Sequence, residues 1–117
     1  MSDEPHEPTV RIELLGRFAV AVGGDEVATE GLGARAAELV QLLALADEGR
    51  LARDQLIDAL WPHLEGEAGG ANLRKAAHLA RRALGDPEAV VLGGGHVELY
   101  PGREVRVDAG EFERAAR

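Results

Sequence analysis

The sequence predicts an α+β fold: a winged helix-turn-helix with an N-terminal antiparallel sheet, three helices and a C-terminal β-hairpin wing. Three observations carry this. Short alternating segments broken by glycines open the chain. Three helical segments follow, and the third is strongly cationic. Two further alternating segments around a glycine triplet then close the domain.

The elements run in order as follows. Residues 1–9 hold two prolines and three acids, which predicts a disordered lead-in. Val10 to Leu15 alternates, with Val10, Ile12 and Leu14 on one face until Gly16 breaks it. Phe18 to Val22 alternates again and runs into the turn Gly23-Gly24-Asp25. Glu26 to Ala28 has room for a short third strand. A helix is expected from about Ala34 to Asp47, with Ala36, Leu39, Val40, Leu42, Leu43 and Ala46 as a broad apolar face and Gly49 as its stop. Arg53 to Trp61 is a second, short helix, ended by Pro62, and the link of about five residues before it has helix-turn-helix length. His63 to Ala71, with its glycines and acids, is expected as a flexible link. Asn72 to Leu84 is the third helix, stopped by Gly85-Asp86-Pro87.

Beyond it, Ala89 to Leu92 and His96 to Tyr100 flank Gly93-Gly94-Gly95 as a hairpin, and Glu104 to Val107 suits one more strand. Asp108 and Glu111 have capping-box spacing for a helix containing Phe112. The expected domain is therefore 10–107, with 108–117 as the truncated start of a following helical domain.

The third helix carries the chemistry. At about 100° per residue, Leu73, Ala77, Ala80 and Leu84 share one side. Arg74, Lys75, His78, Arg81 and Arg82 share the other, and the stretch contains no acid. Exposed helices usually offset such charges with Glu or Asp one turn away, so this positive face is expected to stay open to an outside anion. In a winged helix-turn-helix this is the helix that enters the roughly 12 Å major groove.

Composition narrows the alternatives. The chain has 117 residues, 21 Asp plus Glu against 13 Lys plus Arg, and a formal net charge of −8. Four of those basic residues sit in the third helix, so charge is segregated, and diffuse binding of nucleic acid over the whole surface is disfavoured. Aromatics are 3%, leaving Leu, Val, Ile and Ala to build the core. The absence of Cys excludes disulfides and thiolate metal sites. His63 beside Glu65 and Glu67 lacks a second His, so no metal is expected, nor any cofactor. No Ser/His/Asp grouping suggests an enzyme. No apolar run approaches a membrane span and the acidic start is no signal peptide, so a cytoplasmic protein is expected.

Three segments, RDQLIDALWP (53–62), ANLRKAAHLARRALGD (71–86) and VVLGGGHVELYPG (90–102), resemble the DNA-binding domain of SARP/AfsR-type transcriptional activators. These bacterial proteins carry the winged helix of OmpR/PhoB response regulators, and the resemblance covers about residues 10 to 107. It implies a recognition helix at about Ala71 to Leu84. Arg74, Lys75 and His78 would then face base edges or nearby phosphates, and Arg81 and Arg82 would lie mostly at phosphates. It also implies promoter repeats of double-stranded DNA as partner, bound in tandem or as a dimer, and RNA polymerase recruited through the full-length protein. The chain departs from the pattern at Leu79-Ala80, where one cation is replaced, and at the wing tip, where Gly94, Gly95 and His96 carry no fixed charge.

The expected function is sequence-specific DNA binding. Arg81, Arg82 and Arg53 would neutralise phosphates, Arg74 or Lys75 would donate to guanine, and His78 would hydrogen-bond a base, with His96 at the wing. The alternative is a winged-helix module of a larger regulator that binds protein and little or no DNA, which the acidic balance favours.

Overall fold

The computed structural model describes residues 8–64 and 67–108. Strands β1 (Val10–Glu13), β2 (Ala19–Val22) and β3 (Asp25–Val27) form an antiparallel meander. Helices α1 (Gly33–Leu45), α2 (Arg53–Leu60) and α3 (Glu67–Leu84) follow, with a short strand β4 (Arg50–Ala52) between the first two. Strands β5 (Val90–Gly93) and β6 (His96–Leu99) make the hairpin, and β7 (Val105–Val107) closes the domain. The order sheet, helix, helix, helix, hairpin is that of a winged helix.

Two sheets result. One has the order β3-β2-β1-β7 and the other β4-β6-β5. The first is not wholly antiparallel as expected: β7 lies parallel to β1, with Val10 opposite Val105 and Ile12 opposite Val107. Alternation explains the pairing, since Val10, Ile12 and Val107 all turn into the core while Arg11 and Arg106 face water.

Strand β4 is the element the sequence did not signal. Three residues are too few to show a period. Arg50–Ala52 acquires its strand character only from pairing, Leu51 opposite Val97 of β6. The connection between α1 and α2 is thus a strand of the wing's sheet. Glu48 and Gly49, with φ of 59° and 66°, turn the chain into it, so Gly49 ends a second short turn after α1 has already stopped at Leu45.

The core draws on every layer. Val10, Ile12 and Val20 from the first sheet meet Leu39, Val40 and Leu43 of α1, Leu56 and Leu60 of α2, and Leu73, Ala77 and Ala80 of α3. Trp61 is buried at 8% exposure, continuing the α2 stripe. Small residues on α3 let that helix lie close against α1, the helix it packs on most extensively.

The Thr9 carbonyl accepts from Gly23, the Pro8 carbonyl accepts from Arg103, and Val10 donates to the Glu104 carbonyl, so Pro8 and Thr9 of the expected lead-in are tied to the sheet. At the other end the Asp108 carboxylate accepts the backbone N–H groups of Leu14 (2.9 Å) and Leu15 (3.1 Å). Glu111 and Phe112, expected to continue a helix from Asp108, lie outside the described residues.

Candidate nucleic-acid interface

Helix α3 begins at Glu67, five residues before its expected start at Asn72. Gly69 and Gly70 had suggested a loop. Instead both are buried inside the helix, because α2 crosses there. A Cβ on Gly69 would collide with Ile57 Cγ2, and one on Gly70 with the Arg53 guanidinium. The glycines are kept by lack of space, and only tertiary contact reveals this.

The helix buries Leu73, Ala76, Ala77, Ala80 and Leu84, the side the periodicity indicated. Arg74, His78 and Arg82, spaced four apart, form an exposed line, with Lys75 beside them. Among the described residues, the arginines in ion pairs are Arg17, Arg35, Arg53, Arg103 and Arg106. None of these is on α3, so no described carboxylate neutralises its exposed cations.

Arg81 departs from that exposed line. It is half-buried, and its Nη1 donates to the Val90 carbonyl at 2.8 Å, joining α3 to the first strand of the wing. The expected phosphate ligand is therefore also a brace. Arg53 opens α2 at the crossing with α3. Its backbone N–H donates to the Gly95 carbonyl in the wing turn at 2.9 Å, and its side chain, 42% exposed, has Asp54 3.6 Å away. The α2 start is further fixed by Gln55, whose Oε1 accepts from the Ala52 N–H, one half of a capping box.

The end of α3 is fixed by backbone and side chain together. Gly85, with φ of 69°, donates to Arg82, and Asp86 donates to the Arg81 carbonyl, a Schellman ending. Asp86 then does more than terminate the helix. Its Oδ1 accepts from the Glu88 N–H at 2.8 Å, and its Oδ2 takes Arg103 Nη1 at 3.1 Å. The Arg103 side chain is only 8% exposed and lies over the Tyr100 ring. This clasp between the helix end and the segment after the wing escaped the sequence reading, because Gly-Asp-Pro reads only as punctuation and Arg103 lies 17 residues away.

The wing turns at Gly94-Gly95, with φ of 62° and 82°, the left-handed pair a two-residue hairpin loop requires. His96 is exposed at this tip, with Nδ1 3.2 Å from the Gly94 carbonyl. The structure therefore brings Arg74, Lys75, His78 and Arg82 together on one helix face. It places Arg53 at the start of α2, Arg81 between helix and wing, and His96 at the wing tip.

No family model matches the chain, and no curated protein matches it. Among solved structures it is similar to Mycobacterium tuberculosis EmbR, determined in complex with a low-affinity phosphopeptide. The TM-score is 0.67 at 21% identity, over 91% of this chain and 28% of that one. The chain thus spans under a third of that protein's length, and the likeness is one of fold. No helix among the described residues is long and apolar enough to cross a membrane.

Proposed function

We propose that this chain is the DNA-binding domain of a bacterial transcriptional regulator of the SARP/AfsR type, with α3 in the major groove and the wing on the adjacent backbone. The observation that carries the reading is the exposed line Arg74–His78–Arg82 with Lys75, free of ion pairs among the described residues on a chain of net charge −8. A cationic surface left open on an acidic protein is suited to a polyanion. Arg82 faces phosphates. Lys75 reaches a base edge, Arg74 a base edge or a nearby phosphate, His78 adds a hydrogen bond to a base, and Arg81 holds the wing beside the helix. The fold likeness to EmbR adds to this reading, as do the three segments that resemble SARP activators. The regulator acts in the cytoplasm, as a tandem or dimer on promoter repeats, and recruits RNA polymerase through its other domains. No catalytic role is assigned to it.

The test is a mobility-shift assay on duplex DNA across a salt series. Each phosphate contact contributes about 0.9 to the slope of log K against log salt. Arg82→Ala is expected to lower that slope by about one unit at unchanged stability. Failure of the unaltered chain to bind any duplex at low salt overturns the reading. The protein-binding alternative would then take its place, favoured by the same net charge.

A further inference from the structure

The guanidinium groups of Arg53 and Arg74 meet at Gly70. Arg53 Nη2 occupies the place where a Gly70 side chain would stand, and Arg74 Nη1 lies 3.7 Å from that same point. One arginine comes from the first residue of α2 and the other from the second turn of α3, so tertiary packing places the two cations side by side. Asp54, the acid paired with Arg53 among the described residues, lies 3.6 Å from its Nη1 atom, and its carboxylate is 92% exposed, hence strongly hydrated. No carboxylate among the described residues pairs with Arg74. Two neighbouring guanidiniums with solvent access and no bridging acid among the described residues form a fork suited to a tetrahedral oxyanion, because each offers planar N–H donors to a different oxygen.

We propose that Arg53 and Arg74 jointly clamp a single phosphate group over Gly70. The clamp rests on the DNA-binding reading for its source, a backbone phosphate at the edge of the groove that α3 enters. Gly70 serves as the seat: any side chain there would displace the Arg53 guanidinium. The backbone N–H of Arg53 is bonded to the Gly95 carbonyl in the wing turn, so a phosphate held here bridges α2 and α3 at the residue that also anchors the wing. It would fix the wing's position relative to the recognition helix, with no base contact.

Two measurements on the 117-residue chain test this. The first is an NMR titration with inorganic phosphate at constant ionic strength, following the arginine Nε–H signals and the Gly69 and Gly70 amides. The expected result is saturable shifts centred on Gly70, abolished by Arg53→Gln and by Arg74→Gln alike, and retained in Arg82→Gln. Shifts no greater than those from chloride, or shifts that survive either clamp substitution, overturn the proposal. The second is the salt dependence of binding to a mixed-sequence duplex. If DNA supplies the phosphate, each single substitution lowers the slope by about 0.9 and the double substitution lowers it no further. If the slope losses add while the phosphate titration is positive, the clamp holds a free phosphate group and the DNA source is overturned. If the chain binds no duplex, the DNA reading fails, and the titration alone decides the clamp.

Discussion

Arg81 Nη1 donates to the Val90 carbonyl across 2.8 Å, tying α3 to the wing. The bond runs from a half-buried guanidinium to a buried strand residue, so it fixes the placement of α3 relative to the wing. Replacing it removes a charge-assisted bond worth about 1.5–3 kcal/mol. Arg81→Met keeps the stem packed and is expected to lower stability in urea unfolding by roughly that amount. Arg82→Met, exposed one residue on, should change stability by less than about 0.5 kcal/mol. Equal stability of the two variants would mean that the Val90 contact does not brace the wing.

Gly69 sets the distance between α2 and α3. A methyl group there meets Ile57 Cγ2, whereas a methyl on Gly93 meets nothing within 4 Å. Gly69→Ala is expected to destabilise by about 1–3 kcal/mol through overpacking, with Gly93→Ala near neutral. Trimming the obstacle should recover part of the loss: the double variant Gly69→Ala with Ile57→Ala should cost less than the two singles combined. Strict additivity would show that the clash is relieved elsewhere.

Tyr100 is the chain's single tyrosine, 1% exposed, and its hydroxyl has no hydrogen-bond partner among the described residues. Burial, and then the negative charge of Asp86, push its pKa up to about 12, while nearby Arg103 works weakly the other way. The unfolded chain ionises near 10, so the residue has no effect on stability below that pH. Between about 10 and 12 the unfolded state releases the proton first, and stability falls as pH rises, by up to roughly 2–3 kcal/mol. Absorbance of tyrosinate against pH should therefore show a midpoint near 12 in the native protein. Tyr100→Phe removes a buried unpartnered hydroxyl, and is expected to be neutral or stabilising at pH 7 and to abolish this alkaline loss. A midpoint near 10 in folded protein would contradict the burial.

Asp108 fastens the turn after β1 by accepting from both Leu14 and Leu15. Asp108→Ala is expected to cost about 1–3 kcal/mol and to speed amide exchange at Leu14 and Leu15, with Asp108→Asn intermediate because it keeps one acceptor. Unchanged exchange at both amides would rule out this tether.

The sequence made the architecture legible wherever the signal was local. The period of α3 correctly separated Leu73, Ala77, Ala80 and Leu84 from Arg74, His78 and Arg82, because burial on one side of a helix leaves that imprint. The wing was legible from its glycines, since a tight hairpin turn needs left-handed residues. What was lost came from contacts distant in sequence. Gly69 and Gly70 look like a loop until Ile57 and Arg53 are seen against them. The β4 strand has no pattern of its own apart from Val97. Arg81 sits at a helical position that reads as exposed, and only Val90 shows that it bridges. Those same distant contacts give the site its shape, so charge and helix face could be read in advance, whereas the Arg53–Gly70–Arg74 junction could not.

Strand β7 pairs alongside β1, so Val105 meets Val10 across almost the whole length of the domain. During synthesis, β1 can join β2 as soon as the meander emerges, but its other side stays an open edge until every residue through β7 has been made. The first sheet is therefore completed last. A ribosome pausing anywhere between the helices and β7 would leave a sticky, half-zipped β1 available to neighbouring nascent chains.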